Sequence, residues 1–283
     1  MTRGHRRILP ALVACAGMGL ALLLSAMAPA EARGAFLRGF GEPEFENDTA
    51  SERAFWFDQA DRANANLTRI NVSWRSVVDG GAPVAPTNPN DPGYSFARAD
   101  QAVIEAAQRG HRVLITVFNA PEFAEGANQP GDSPDGTWKV DPAALGQFAQ
   151  ALATRYSGGF VPLGGIGALP RVGYFEAWNE PNLTQYLTPQ YTEGSNKQLS
   201  GDHYRAMLNS FYGGVRQSGS GAQVIAGATA PFGDPPGNTR TRPLRFLREV
   251  FCLNGKLKGT KCRDKAQCDL ISHHPITLGH GPS

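Results

Sequence analysis

Short apolar runs recur along this chain at 35–40, 67–74, 112–118, 172–177, 223–228 and 269–272, and helix-like segments separate them at 52–64, 97–108, 142–156, 203–217 and 243–251. The runs at 67–74 and 112–118 are rich in β-branched residues, as buried strands are. In 97–108, Ala99, Val103, Ala106 and Ala107 fall on one helical face, and Gly110 follows as a stop. Repeated strand–helix alternation leaves few choices beyond a parallel sheet with helices outside it, an α/β fold. A doubly wound dinucleotide fold is disfavoured. Gly39-Phe40-Gly41-Glu42 lacks the third glycine of the phosphate-binding turn, and Pro43 and Glu44 stand where its helix should open. Polar and aromatic residues instead collect just after the strands (Trp74, Asn119, Asn179, Glu180, His273 and His274), as the C-terminal rim of a (β/α)8 TIM barrel requires.

Composition removes other classes. With 41% hydrophobic and 18% charged residues the chain is neither disordered nor fibrous, and its 33 glycines and 21 prolines imply many ordered turns. Residues 1–32 stand apart. Arg3, Arg6 and Arg7 precede an apolar run from Ile8 to Ala26, and Ala30-Glu31-Ala32 has the small residues a signal peptidase needs. The expectation is a cleaved signal peptide, with 33–283 as the mature domain and a secreted product. An uncleaved anchor and a lipobox at Leu12-Val13-Ala14-Cys15 are the alternatives. After residue 32 no apolar stretch approaches spanning length, so no membrane partner is expected. Without the leader, 24 basic residues face 24 acidic ones. No basic stripe interleaved with aromatics appears, so nucleic acid is not an expected partner.

Three cysteines remain in the mature chain. An exported protein should pair two of them. The expected bridge joins Cys252 to Cys262 across a polar, lysine-rich loop, because Cys268 opens an apolar strand. Spacings of ten and six are not those of a zinc knuckle. His273, His274 and His280 are not read as metal ligands, and no metal or other cofactor is expected.

The most informative stretch is Tyr174-Phe-Glu-Ala-Trp-Asn-Glu-Pro-Asn182. Pro181 cannot continue a ladder, so the strand ends with the Glu180 carboxyl presented at an aromatic rim. Phe175 to Leu183 resembles the acid/base motif at the end of strand four in clan A glycoside hydrolases, closest to family 39. Thr68-Arg69-Ile70-Asn71, Asn119-Ala-Pro121 with Phe123-Ala124, and Ser272-His273-His274-Pro275 extend the likeness over about 34–277. The resemblance implies that Glu180 protonates the leaving glycosidic oxygen and later activates water, with a glycoside, oligosaccharide or polysaccharide as substrate. It further implies that Asn179 holds the sugar 2-hydroxyl, that His274 is a rim residue, and that Trp74 and Trp178 offer stacking faces, although Trp178 reads equally as core. Arg69 supports the acid/base neighbourhood or forms a buried ion pair, and Asn119 belongs to the same rim.

Two departures qualify the resemblance. Ile276 stands where the pattern has Tyr, and no second carboxylate is evident at the end of a seventh strand. Retaining enzymes of this kind hold their two carboxyl groups about 5 to 5.5 Å apart. Glu249 falls on an outer helix, and Glu176, four residues before Glu180 on the same strand, is about 13 Å away at ~3.3 Å per residue. Glu42, Glu44 and Glu122 lie on other rim loops with nothing to aim them. The expectation is therefore an incomplete barrel of about six of the eight units. Its function would be a retaining glycoside hydrolase without its strand-seven nucleophile, or a non-catalytic carbohydrate-binding relative.

Overall fold

The computed structural model describes residues 36–78, 81–237 and 239–276. The leader at 1–32, the beginning of the first predicted strand and His280 lie outside them. The fold is carried by the compact unit Leu37–Ser283.

Six strands form one sheet in chain order: β1 (Gly39–Phe40), β2 (Leu67–Ser73), β3 (Arg112–Phe118), β4 (Tyr174–Ala177), β5 (Gln223–Thr229) and β6 (Leu270–His273). Every pairing is parallel and joins sequence neighbours. The helices α1 (Ala50–Arg62), α3 (Ala97–Gln108), α4 (Pro142–Arg155), α5 (Ser200–Gln217) and α6 (Pro243–Val250) occupy the crossovers, and a single turn, α2 (Trp74–Val77), follows β2. Among the described residues β1 and β6 each have one sheet partner, so the architecture is six units of a (β/α)8 barrel. No described helix is long and apolar enough to cross a membrane.

Local chemistry explains the boundaries. At α4, Pro142 occupies the first turn, where its missing N–H costs nothing, and the Asp141 side chain accepts the Ala143 N–H at 2.8 Å. Past α3 the chain turns through Gly110 at φ 77°, a conformation glycine adopts without Cβ strain. Gly214 of α5 lies against Gly146 of α4 so closely that a Cβ would collide with the Gly146 carbonyl.

The period of two along β2 sorts its side chains. Thr68, Ile70 and Val72 are buried towards the helices, whereas Arg69, Asn71 and Ser73 are half-buried, and all three line the cleft at the strands' C-terminal ends. The largest strand differences from the sequence reading are in β1, which holds only Gly39 and Phe40 of the expected strand 35–40, and β4, which starts at Tyr174 instead of residue 172; the ends of β2, β5 and β6 each move by one residue.

Candidate active site

A cleft of about 710 Å³ opens at this rim. Its walls come from β2 (Arg69, Asn71, Ser73), from Glu46 after β1, from Asn179, Glu180 and Tyr186 after β4, and from His274, Pro275 and Ile276 after β6. Beneath it lies a polar cluster inside the sheet. Glu176 is 2% exposed, and its carboxylate accepts hydrogen bonds from Arg69 Nη2 (3.0 Å), Arg69 Nε (3.3 Å), Thr116 Oγ1 (2.6 Å) and Ser272 Oγ (2.5 Å). Four strands therefore meet on one carboxylate, which satisfies a charge that would otherwise be costly to bury. Arg69 Nη2 also donates to Asn179 Oδ1 at 2.8 Å, so the buried ion pair fixes a side chain of the cleft wall.

Glu180 projects from a distorted turn. Trp178 and Glu180 have φ of 79° and 41°, the left-handed region that side chains other than glycine enter at a cost of order 1–3 kcal/mol each. Neighbouring contacts hold them there. The Trp178 indole is fully buried and donates from Nε1 to the Tyr186 carbonyl at 2.7 Å, and the Glu180 N–H donates to the Ala228 carbonyl at 3.0 Å. The fully buried Asn182 accepts the Ala230 N–H at 2.8 Å and donates to the Thr241 carbonyl at 3.0 Å, tying the loops after β4 and β5 together. Glu180 Oε1 lies 2.9 Å from His274 Nδ1. One proton serves this contact: on Nδ1 it is donated to a carboxylate, and on Glu180 it is donated to the imidazole. The His274 backbone N–H donates to the Thr229 carbonyl at 3.0 Å, which ties the chain after β6 to the end of β5.

The other ionisable groups of the cleft are Glu46 and Tyr186. Burial raises the Glu46 carboxyl to about 7 against the opposing pull of the Asn71 N–H, Arg98 and Arg69; Oε1 accepts that N–H at 2.5 Å. Burial, reinforced by the nearby Glu180 charge, pushes the Tyr186 phenol up. Among the described residues, Glu46 and Glu180 are the carboxylates that line the cleft, and no group of His, Cys, Asp or Glu is arranged to hold a metal ion.

The structure thus brings Arg69, Asn179, Glu180 and His274 to one cleft. Trp74 is a correction. It is 1% exposed, begins α2, and stacks on Phe148 at 5.1 Å between ring centroids, so its face is used by the core and not by a sugar. Trp178 takes its core alternative, for the reason given above. Asn119 stands one shell behind the wall and donates from Nδ2 to Ser73 Oγ at 3.0 Å. Cys252 and Cys262 form a disulfide, and Cys268 is free.

Sequence reasoning missed Glu46, Tyr186 and the anchoring role of Asn182. Glu46 sits in a short 3-10 turn, Pro43–Glu46, opened by Pro43, and that proline followed by acidic residues was its only available signal.

No protein-family profile matches the chain, and no curated protein matches it. Solved structures resemble it. A family 39 glycoside hydrolase from Bacteroides cellulosilyticus WH2 is 20% identical, with a TM-score of 0.41 over 67% of this chain and 31% of that one. A glucosidase from Croceicoccus marinus is 18% identical, with a TM-score of 0.42 over 68% and 35%. Thermotoga maritima Cel5A, solved with cellobiose, is 18% identical, with a TM-score of 0.42 over 68% and 52%. The chain spans about a third to a half of the length of these structures.

Proposed function

We propose that this chain carries the acid/base side of a secreted retaining glycoside hydrolase. The carrying observation is Glu180, held at the rim of an open cleft by a distorted turn and sharing a proton site with His274 at 2.9 Å. In this reading Glu180 protonates the glycosidic oxygen as the bond breaks, then takes a proton from the water that releases the sugar. Asn179, oriented by Arg69 and through it by Glu176, hydrogen-bonds a sugar hydroxyl next to the reacting carbon. In this reading the partner carboxylate of Glu180 is not one of the described residues. Export by cleavage of 1–32 belongs to the same proposal, and N-terminal sequencing of the secreted product should begin at Arg33, or at Glu31 for the alternative cut.

The presence of Glu46 in the cleft favours a second reading, in which that carboxylate is the partner of Glu180. Variants separate the two. If aryl glycosides are turned over by the 283-residue chain and Glu46→Gln abolishes that turnover, the second reading holds. If the chain shows none, the first is supported. In a form that also carries the seventh and eighth units, Glu180→Ala should lower turnover of glycosides with poor leaving groups by ~10² to 10⁴ and affect activated aryl glycosides far less. Equal losses on both would overturn the acid/base role.

A further inference from the structure

Charge is unevenly spread over this protein. Residues 240–266 hold nine basic side chains against two acidic ones, although the whole chain is only +2. The segment comprises α6 and the connection from it to β6, so its far end lies at the strands' N-terminal ends, away from the cleft. Solvated protein surfaces usually intersperse the two signs. Here neighbouring arginines follow that pattern and this segment does not. Arg205 and Arg216 nearby, and Arg240 at the segment's first position, each hold a carboxylate, whereas among the described residues no carboxylate lies within ion-pair distance of Arg248, Lys256, Lys258, Lys261 or Arg263.

The lysines are also held in place. The Cys252–Cys262 disulfide closes a hairpin with internal hydrogen bonds: Thr260 N–H to Cys252 O at 2.7 Å, Asn254 N–H to Lys258 O at 2.9 Å, and the Asn254 side chain accepting the N–H groups of Lys256 (2.9 Å) and Lys258 (3.0 Å). Lys256, Lys258, Lys261 and Arg263 are all exposed. Arg245 and Arg248, three residues apart, share a face of α6, which at eight residues is about 12 Å long. Positive charge therefore runs as a stripe down the helix and onto a pre-organised hairpin, a shape suited to an extended polyanion more than to a single anion.

We propose that the outer face of α6 and the disulfide-closed hairpin after it bind a linear acidic polysaccharide, one bearing uronate or sulfate groups. The stripe itself argues for a polyanion; the choice of a glycan rests on the glycosidase reading of the cleft. No exposed aromatic residue lies within 240–266, so stacked bases have no platform there. The site would hold the protein on its polymer while the cleft works elsewhere along it.

Affinity electrophoresis of the full chain in gels containing polygalacturonate, dextran sulfate or neutral dextran tests this. Retardation is expected with one or both of the first two and not with neutral dextran, and it should weaken about tenfold or more between about 50 and about 200 mM salt. Retardation by polygalacturonate alone identifies uronate as the recognised group, and by dextran sulfate alone, sulfate. The triple variant Lys256→Ala, Lys258→Ala, Lys261→Ala should bind about tenfold more weakly with an unchanged circular dichroism spectrum, whereas Arg62→Ala, which removes a single positive charge from α1, should bind as the parent does. Glu180→Gln should leave this binding intact, so loss of cleft chemistry and loss of this site are read separately. Equal retardation by neutral dextran, no retardation by either polyanion, undiminished binding by the triple variant, or tighter binding of duplex DNA or phosphatidylserine vesicles would overturn the proposal.

Discussion

Replacing Arg69 by Met removes what is, among the described residues, the one cation bonded to the Glu176 carboxylate, which is 2% exposed, while keeping most of the volume of the side chain. Thr116 and Ser272 still donate to Glu176, so the carboxylate keeps two of its partners but no opposing charge. Stranding one member of a buried pair costs about 3–5 kcal/mol, and the surviving hydrogen bonds put this case near the lower end. A loss of about 3 kcal/mol corresponds to a fall in Tm of roughly 6–12 °C for a domain of this size. Glu176→Gln should cost less, because Arg69 is 22% exposed and can turn towards water. Urea unfolding of Arg69→Met, Glu176→Gln and the double variant, followed by circular dichroism with the m value checked for constancy, gives the cycle. The double variant should lie about 2 kcal/mol above the sum of the singles. An Arg69→Met cost below about 1 kcal/mol, or strict additivity, would show that the cluster is solvated in solution and does not position Asn179 through charge.

Three further outcomes follow from the same structure. Glu46 binds a proton in the folded state up to about pH 7 but in the unfolded chain only up to about 4.5, so folding stability should fall as pH rises between those values. Glu46→Gln should therefore stabilise the protein at pH 8 by up to about 3 kcal/mol, and thermal melts that show no pH-dependent gain would refute the desolvation. Removing the Cys252–Cys262 bridge with paired serines should cost about 2–3 kcal/mol for a loop with a sequence separation of 10, measured by the same urea melts. On β6, Ile271 is 59% exposed, so Ile271→Lys should change stability by less than about 0.5 kcal/mol in the same urea melts.

What could be read from the sequence depended on how local its cause was. The run 112–118 became β3 with both boundaries intact, because six consecutive apolar or β-branched residues, Val113 to Phe118, soon after a glycine stop leave the backbone little alternative. The ends of β1 and β4 are set by neighbours: β1 lasts only while Gly39 and Phe40 pair with Leu67 and Thr68. Trp74 was assigned to the rim by its place after a strand, but the chain turns into α2 there, and that turn swings the indole onto Phe148. Glu176 was set aside as a partner of Glu180 by distance along one strand. Its actual role needed Arg69, Thr116 and Ser272, residues separated from it by 107, 60 and 96 positions, which no local pattern connects.

The sheet order has a consequence for cooperativity. Because each strand pairs only with its neighbours in the chain, the six units behave as a nearest-neighbour array, like the repeats of a solenoid, and each interface can form once the preceding unit is in place. Among the described residues, bonds that break this linear order lie at the site: Arg69 to Glu176 and Asn179, Ser272 to Glu176, and His274 to Glu180. The residues assembled for chemistry are thus also the long-range staples that turn a stack of independent units into one cooperative body.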